Sequence, residues 1–153
     1  MSGQTYEAFT EPPREQIPGI SRAHVAALEA SSDDAVWQLV GMHHIVLHTL
    51  GRKTGQLHKV ALPFWYDPDG HRLVVASFSG ADRHPSWFIN LRDPAVNPAV
   101  FVHHQKGTYT SVPEILENEE YDRMWELLVA DRPNYAAYKT RTDRQIPLVR
   151  LPE

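Results

Sequence analysis

The chain contains no cysteine, and this absence removes several functional classes at once. No disulfide, zinc–cysteine centre, iron–sulfur cluster or thiol nucleophile is available to it. It has no apolar run long enough to span a bilayer and no cationic leader ahead of an apolar stretch. The expectation is a cytoplasmic protein, with peripheral membrane contact as its closest approach to lipid. Nor is there an excess of positive charge: 15 Lys and Arg stand against 19 Asp and Glu, a net charge of -4. A general nucleic-acid binder is not expected, and any cationic site must be local. Internal repeats and low-complexity tracts are also missing.

What is present fits a single globular domain: 153 residues, 42% of them hydrophobic, punctuated by 12 prolines and 8 glycines. Residues 1–20, with Pro12, Pro13, Pro18 and Gly19, read as an extended arm. Ser21 then caps a helix carrying Val25, Ala26 and Leu28. A second short helix starts at Asp33 or Asp34, uses Val36, Trp37 and Val40, and stops at Gly41. Residues 1–40 are thus an arm with two lid helices, packed on the remainder or covering a substrate mouth. Residues 41–153 form the body.

Strands follow: Met42 onward, His58 to Tyr66, Arg72 to Phe78, Ala99 to His104, Thr108 to Leu116 and Ile146 to Leu151. Asp67-Pro68-Asp69-Gly70 is a turn, because Pro presets one φ and Gly accepts a positive one. Helices are expected over 85–92, from Asn118 to Pro133 with Tyr121, Met124, Trp125, Leu128 and Val129 on one face, and briefly around Tyr135 and Tyr138. Many antiparallel strands and few helices imply a small barrel, not a layered α/β domain.

The stretch Leu47 to Pro94 holds three functional signals. In Gly51-Arg52-Lys53-Thr54-Gly55, two cations sit between glycines at a hairpin tip, with His58 and Lys59 just beyond. Such a tip holds phosphate or carboxylate, or is simply a solvated basic turn. Ala76-Ser77-Phe78-Ser79-Gly80-Ala81 is a small-residue strand exit offering hydroxyls and backbone N–H groups. Pro85-Ser86-Trp87-Phe88-Ile89-Asn90 opens a helix whose first N–H groups, Trp87 face and Asn90 amide point to the same region, unless Trp87 and Phe88 are core. Together they read as a pocket for a flat, aromatic, anionic ligand. The nine histidines do not suggest a metal site. His44 and His48 would lie about 13 Å apart on a strand, and neighbouring pairs such as His103 and His104 would point to opposite faces.

These segments carry a family resemblance. Leu47 to Gln56, Val75-Ala76-Ser77 with Gly80, Pro85 to Leu91, and the tail Arg132-Pro133-Asn134-Tyr135-Ala136-Ala137-Tyr138 followed by Thr142 to Pro147 resemble the deazaflavin-dependent nitroreductase family. The resemblance covers about residues 42–152 and implies a mainly β fold with flanking helices. That fold is a split β-barrel related to flavin-binding oxidoreductases, using coenzyme F420 (an 8-hydroxy-5-deazaflavin). It further implies a cofactor site of Arg52, Lys53, Thr54, Gln56, Lys59, Ser77, Phe78, Ser79, Pro85, Ser86, Trp87 and Asn90, with Arg52 and Lys53 on the phosphate and oligoglutamate tail. Tyr135, Ser77 and Tyr138 would serve the catalytic side, Tyr135 orienting or protonating the substrate. Where the family often has an arginine after the first turn, this chain has His58-Lys59, and Lys59 is the favoured stand-in. Phe78 replaces a lysine of a close family member, and Arg132 replaces the first aromatic of the tail. The implied reaction is hydride transfer from reduced deazaflavin to an enone, quinone or nitro compound by a monomer or homodimer. A flavin mononucleotide- or haem-binding split barrel, or a non-enzymatic carrier, is the alternative.

Overall fold

Two prolines divide the β-structure of this chain between two sheets. Proline has no N–H to give to a ladder, so a strand run through it loses its pairing there. The long strand expected from His58 to Tyr66 breaks after Pro63, giving β3 (Leu57–Pro63) and β4 (Trp65–Tyr66). The one expected from Thr108 to Leu116 breaks at Pro113, giving β7 (Gly107–Ser111) and β8 (Glu114–Ile115). In the computed structural model, which describes residues 17–39 and 41–153, each break hands the chain to the other sheet. One sheet centres on β2 (Met42–Leu50), flanked by β3 on one side and β6 (Val100–His104), then β7, on the other. The second runs β4, β5 (Arg72–Val75), β9 (Leu148–Leu151), β8. All pairings are antiparallel, and the two sheets do not close into one ring. This is the split barrel with flanking helices that the resemblance implies.

Period-two alternation places the cores. Ile45 and Leu47 of β2 face Val74, Ala76, Val149 and Leu151 between the sheets, joined by Trp87, Phe88 and Leu91 of α3 (Ser86–Leu91). The opposite face of β2 is also covered. Val46 packs with Val25 and Leu28 of α1 (Ile17–Glu29) and Trp37 of α2 (Asp34–Trp37). Behind the second sheet, Leu73, Val75 and Leu148 meet Tyr121, Met124 and Leu128 of α4 (Asn118–Asp131) and Tyr135 of α5 (Pro133–Lys139).

Several local expectations shift. The first helix already includes Ile17, so Ser21 lies inside it and does not cap it. Asp33 does cap α2, its carboxylate accepting the Ala35 N–H at 3.1 Å. That helix ends at Trp37, and Gln38–Leu39 form β1 against Met42 and His43. Gly41, with φ 77°, therefore turns a hairpin and does not stop a helix. Val40 and the arm over residues 1–16 lie outside the described residues. Asn118 is the first residue of α4, with Glu117 in the cap position. Among the described residues, no helix is long and apolar enough to cross a membrane, and no group of three or more metal-ligating side chains is placed to hold an ion.

The face of β2 under α1 carries an acid sensitivity. His44 is buried there, its ring 5.0 Å from that of His24. Burial first, then the charges of His24 and His43, hold its pKa at about 4, below the ordinary 6.5. Because the unfolded chain binds this proton more readily, His44 contributes stability that is complete above pH 6.5 and lost as pH falls toward 4. The slope from this group is at most about 1.4 kcal/mol per pH unit. His24 and His48, also lowered by burial, add to it in the same direction. Urea midpoints measured from pH 8 to 4 should fall with acid, and His44→Leu should flatten the fall.

Candidate active site

The first wall of the site is the connection between β2 and β3. Its chain reversal is closed by Gly51 N–H donating to the Gln56 carbonyl and Gly55 N–H to the Gly51 carbonyl, both at 2.8 Å. Gly55 is required by its φ of 70°, and Gly51 by space. A Cβ on Gly51 would sit 2.9 Å from His58 Nε2 and 3.0 Å from Thr54 Oγ1. Two asparagines then fix this tip to α3. Asn97 Oδ1 accepts the Leu50 N–H at 2.8 Å, while its amide donates to the carbonyls of Leu50 and Asn90, each at 2.9 Å. Asn90 Oδ1 in turn accepts from Arg52 N at 3.2 Å and Arg52 Nη1 at 2.8 Å. Asn97 is 3% exposed, so its removal strands buried partners. Asn97→Ala is expected to cost about 2 kcal/mol, read as a lower denaturation midpoint.

The second wall begins where β5 ends at Val75. The strand expected to reach Phe78 stops short, and Phe78–Gly80 form a single 3-10 turn. Phe78 has φ 45°, a left-handed conformation that costs a bulky side chain roughly 1–3 kcal/mol. Gly80 has φ 76°, and a Cβ there would meet the Tyr138 carbonyl oxygen at 2.6 Å, so the turn is seated on the end of α5. The Arg83 guanidinium lies 5.7 Å over the Phe78 ring. Pro85 then caps α3, which presents Ser86, Trp87 and Asn90.

Between the walls lies a cavity of about 540 Å³. Arg52, Lys53, Thr54, Lys59, Phe78, Pro85, Ser86, Trp87 and Asn90, all predicted from the sequence, line it together with His58. Thr49, Val60 and Arg83 also line it and were not anticipated. The clue for Arg83 was its place two residues before the proline that starts α3. The wall contains four permanent cations and, among the described residues, no carboxylate. Arg52, Lys53 and Arg83 have no acidic partner among those residues. Lys59 differs. It sits opposite His48 in the ladder, on the α1 side, and its Nζ is 2.8 Å from Glu29 Oε2. The hydrogen bond from Lys59 holds the Glu29 carboxyl below its usual range. His58, opposite Thr49, faces the cavity.

Other predicted residues stand elsewhere. Gln56 shapes the tip through its backbone, and its N–H donates to Thr54 Oγ1 at 3.2 Å. The Ser77 carbonyl accepts from Arg144 Nη2 at 2.6 Å, and Ser77 is not on the cavity wall. The side chain of Ser79 lies outside the described residues. Tyr135 is 5% exposed and packs behind the second sheet, its ring 6.0 Å from that of Tyr138. Burial chiefly, with Tyr138 adding, raises the Tyr135 phenol pKa, so it is protonated at neutral pH. Neither tyrosine reaches the cavity wall; both lie on the α5 side of the 3-10 turn.

The chain is similar to several known proteins. An F420H(2)-dependent quinone reductase of Mycobacterium tuberculosis is 34% identical over 110 residues, covering 70% of this chain and 71% of the relative. Among solved structures, an F420-H2 dependent reductase (FDR-A) superposes with a TM-score of 0.59 at 34% identity, over 71% of this chain and 92% of that one. A structure described as a domain-swapped dimer gives 0.61 at 28% identity, over 92% and 99%. The F420H(2)-dependent quinone reductase family matches residues 20–153, a span that takes in both walls of the cavity, and this chain belongs to it.

Proposed function

We propose that this protein binds reduced coenzyme F420 in the cavity and reduces a quinone with it. The observation that carries this reading is the wall itself: cations without carboxylates, set around a broad apolar surface of Val60, Phe78, Pro85 and Trp87. That donor set suits a flat ring system with a multiply anionic tail, and the residues present fit the coenzyme. Bound there, reduced F420 would supply the hydride. Arg52, oriented by Asn90, and Lys53 would hold phosphate and tail carboxylates through charge-assisted hydrogen bonds. Arg83 would extend that strip. Trp87 and Phe78 would press on the ring faces or edges and keep water out, while Thr54 and Ser86 would offer polar contacts. Gln56 would act indirectly by shaping the tip, while Lys59, held by Glu29, would add its charge to the wall. Tyr135, held protonated by burial, and Tyr138, packed against it, would border the acceptor side. Residues 41–153 would form the coenzyme-binding body, with the preceding helices as its cover.

The test is anaerobic. Titration with F420 should quench tryptophan fluorescence, and reduced F420 should lose absorbance when menadione is added. An enone and a nitroaromatic tested alongside would show whether the acceptor range is wider. Failure to bind F420 at any concentration would overturn the reading, and saturable binding of flavin mononucleotide in its place would replace it. Lys53→Ala should weaken coenzyme binding several-fold at low salt and less at high salt, because an exposed charge is screened within about 10 Å at 0.1 M.

A further inference from the structure

The cavity's second wall is held by a residue that does not line it. Arg144 lies in the bend before β9, far along the chain from the wall. Its guanidinium reaches back across the molecule. Nε donates to the Ala81 carbonyl at 2.7 Å, Nη2 to the Ser77 carbonyl at 2.6 Å and Nη1 to the Ala76 carbonyl at 3.2 Å. Nη1 also lies 3.0 Å from His84 Nδ1. Arginine only donates, so Nδ1 must accept, which requires a neutral imidazole. Burial, followed by the charges of Arg144 and Arg92, lowers the His84 pKa and favours that state. One planar cation thus gathers carbonyls from both sides of the Phe78–Gly80 turn, plus the residue before Pro85.

We infer that Arg144 is the positioning residue of the coenzyme wall: its fork fixes residues 76–84 in the shape that sets Phe78, Arg83 and Pro85 on the cavity. A left-handed Phe78 is not a conformation the chain would hold by local preference, so something outside the turn must impose it. Gly80 against the Tyr138 carbonyl fixes the floor of the turn, and Arg144 fixes its two ends. Lysine cannot substitute, because a single ammonium lacks the flat array of donors that four acceptors in fixed directions require.

Two measurements test this, and only the second rests on the proposed coenzyme. The first is hydrogen–deuterium exchange of the intact protein. In Arg144→Ala, amides within residues 76–84 should exchange at least roughly tenfold faster, with α4 and β2 unchanged. Unchanged exchange in that segment overturns the inference, and so does acceleration spread evenly over the protein. The second is affinity for F420. Arg144→Ala should bind at least about tenfold more weakly. Millimolar guanidinium chloride should restore part of the loss where equal sodium chloride does not. Wild-type affinity in this variant, or no recovery specific to guanidinium, counts against the inference. If the wild type itself ignores F420, the proposed function falls and the exchange measurement alone decides the role of Arg144. If the alanine variant does not fold, Arg144→Lys takes its place: faster exchange at 76–84 is expected, and wild-type exchange overturns the inference.

Discussion

Replacing Arg52 by Glu should lower the affinity for F420 by two orders of magnitude or more, the largest functional effect expected of any single change here. The Arg52 guanidinium is aimed by another side chain of the cavity wall: its Nη1 donates to Asn90 Oδ1 at 2.8 Å, and the backbone N–H of Arg52 donates to the same oxygen at 3.2 Å. A preoriented guanidinium gives up little freedom when an anion arrives. Losing its charge-assisted bonds costs about 1.5–3 kcal/mol. A carboxylate in its place adds repulsion of about 1–4 kcal/mol at 4 Å, depending on how wet the cavity is. The sum corresponds to roughly a hundredfold or more in binding. Fluorescence titration measures it directly. The fold should survive, since Arg52 is exposed and its backbone N–H remains to bond Asn90. An affinity within tenfold of wild type in a folded R52E protein would mean that the anionic tail lies elsewhere.

Asp67→Ala should remove about 3–5 kcal/mol of stability, the largest structural effect expected. The Asp67 side chain is fully buried, and both of its oxygens accept hydrogen bonds. Oδ1 accepts the N–H groups of Asp69 and His71, both at 2.9 Å, which builds the turn between β4 and β5. Oδ2 accepts from Arg150 Nε on β9 at 2.7 Å. Alanine would leave Arg150, itself nearly buried, with only Glu114 at 3.0 Å and Glu120 at 3.3 Å. Both of those carboxylates are about half exposed and are worth little by comparison. Asp67→Asn keeps the turn acceptor and loses the charge, so its loss should be smaller. Urea midpoints of the three proteins order these effects. Equal midpoints for wild type and Asp67→Ala would show that the pair contributes nothing net.

The same residues separate what is local from what is not. The Asp67-Pro68-Asp69-Gly70 turn was readable from four consecutive letters, because turn chemistry acts within four residues. Its buried partner was not, because Arg150 stands 83 positions away and nothing near it in sequence marks it as an ion-pair residue. The glycine-flanked tip and the helix at Pro85 were readable in the same way. That Asn97 and Asn90 bolt the one to the other was not. Lys59 shows the limit most sharply. Charge alone favoured it over His58 as the stand-in for the family's arginine. The register of β3 against β2 sets Lys59 opposite His48 and His58 opposite Thr49; both line the cavity, and Lys59 also reaches Glu29 of α1. Which partners each neighbour meets is a matter of parity, and parity is set by pairing with another strand.

Composition, punctuation and periodicity were enough to determine a cysteine-free, mainly antiparallel domain with a cationic tip, a small-residue exit and a tryptophan-bearing helix, since each depends on residues within a few positions of one another. Only the folded chain decided that Pro63 and Pro113 would split the strands between two sheets, that Phe78 would stand left-handed at the wall and that Arg144 would hold it there. Those outcomes depend on groups dozens of residues apart, whose meeting is fixed by how the sheets pack and not by any local preference.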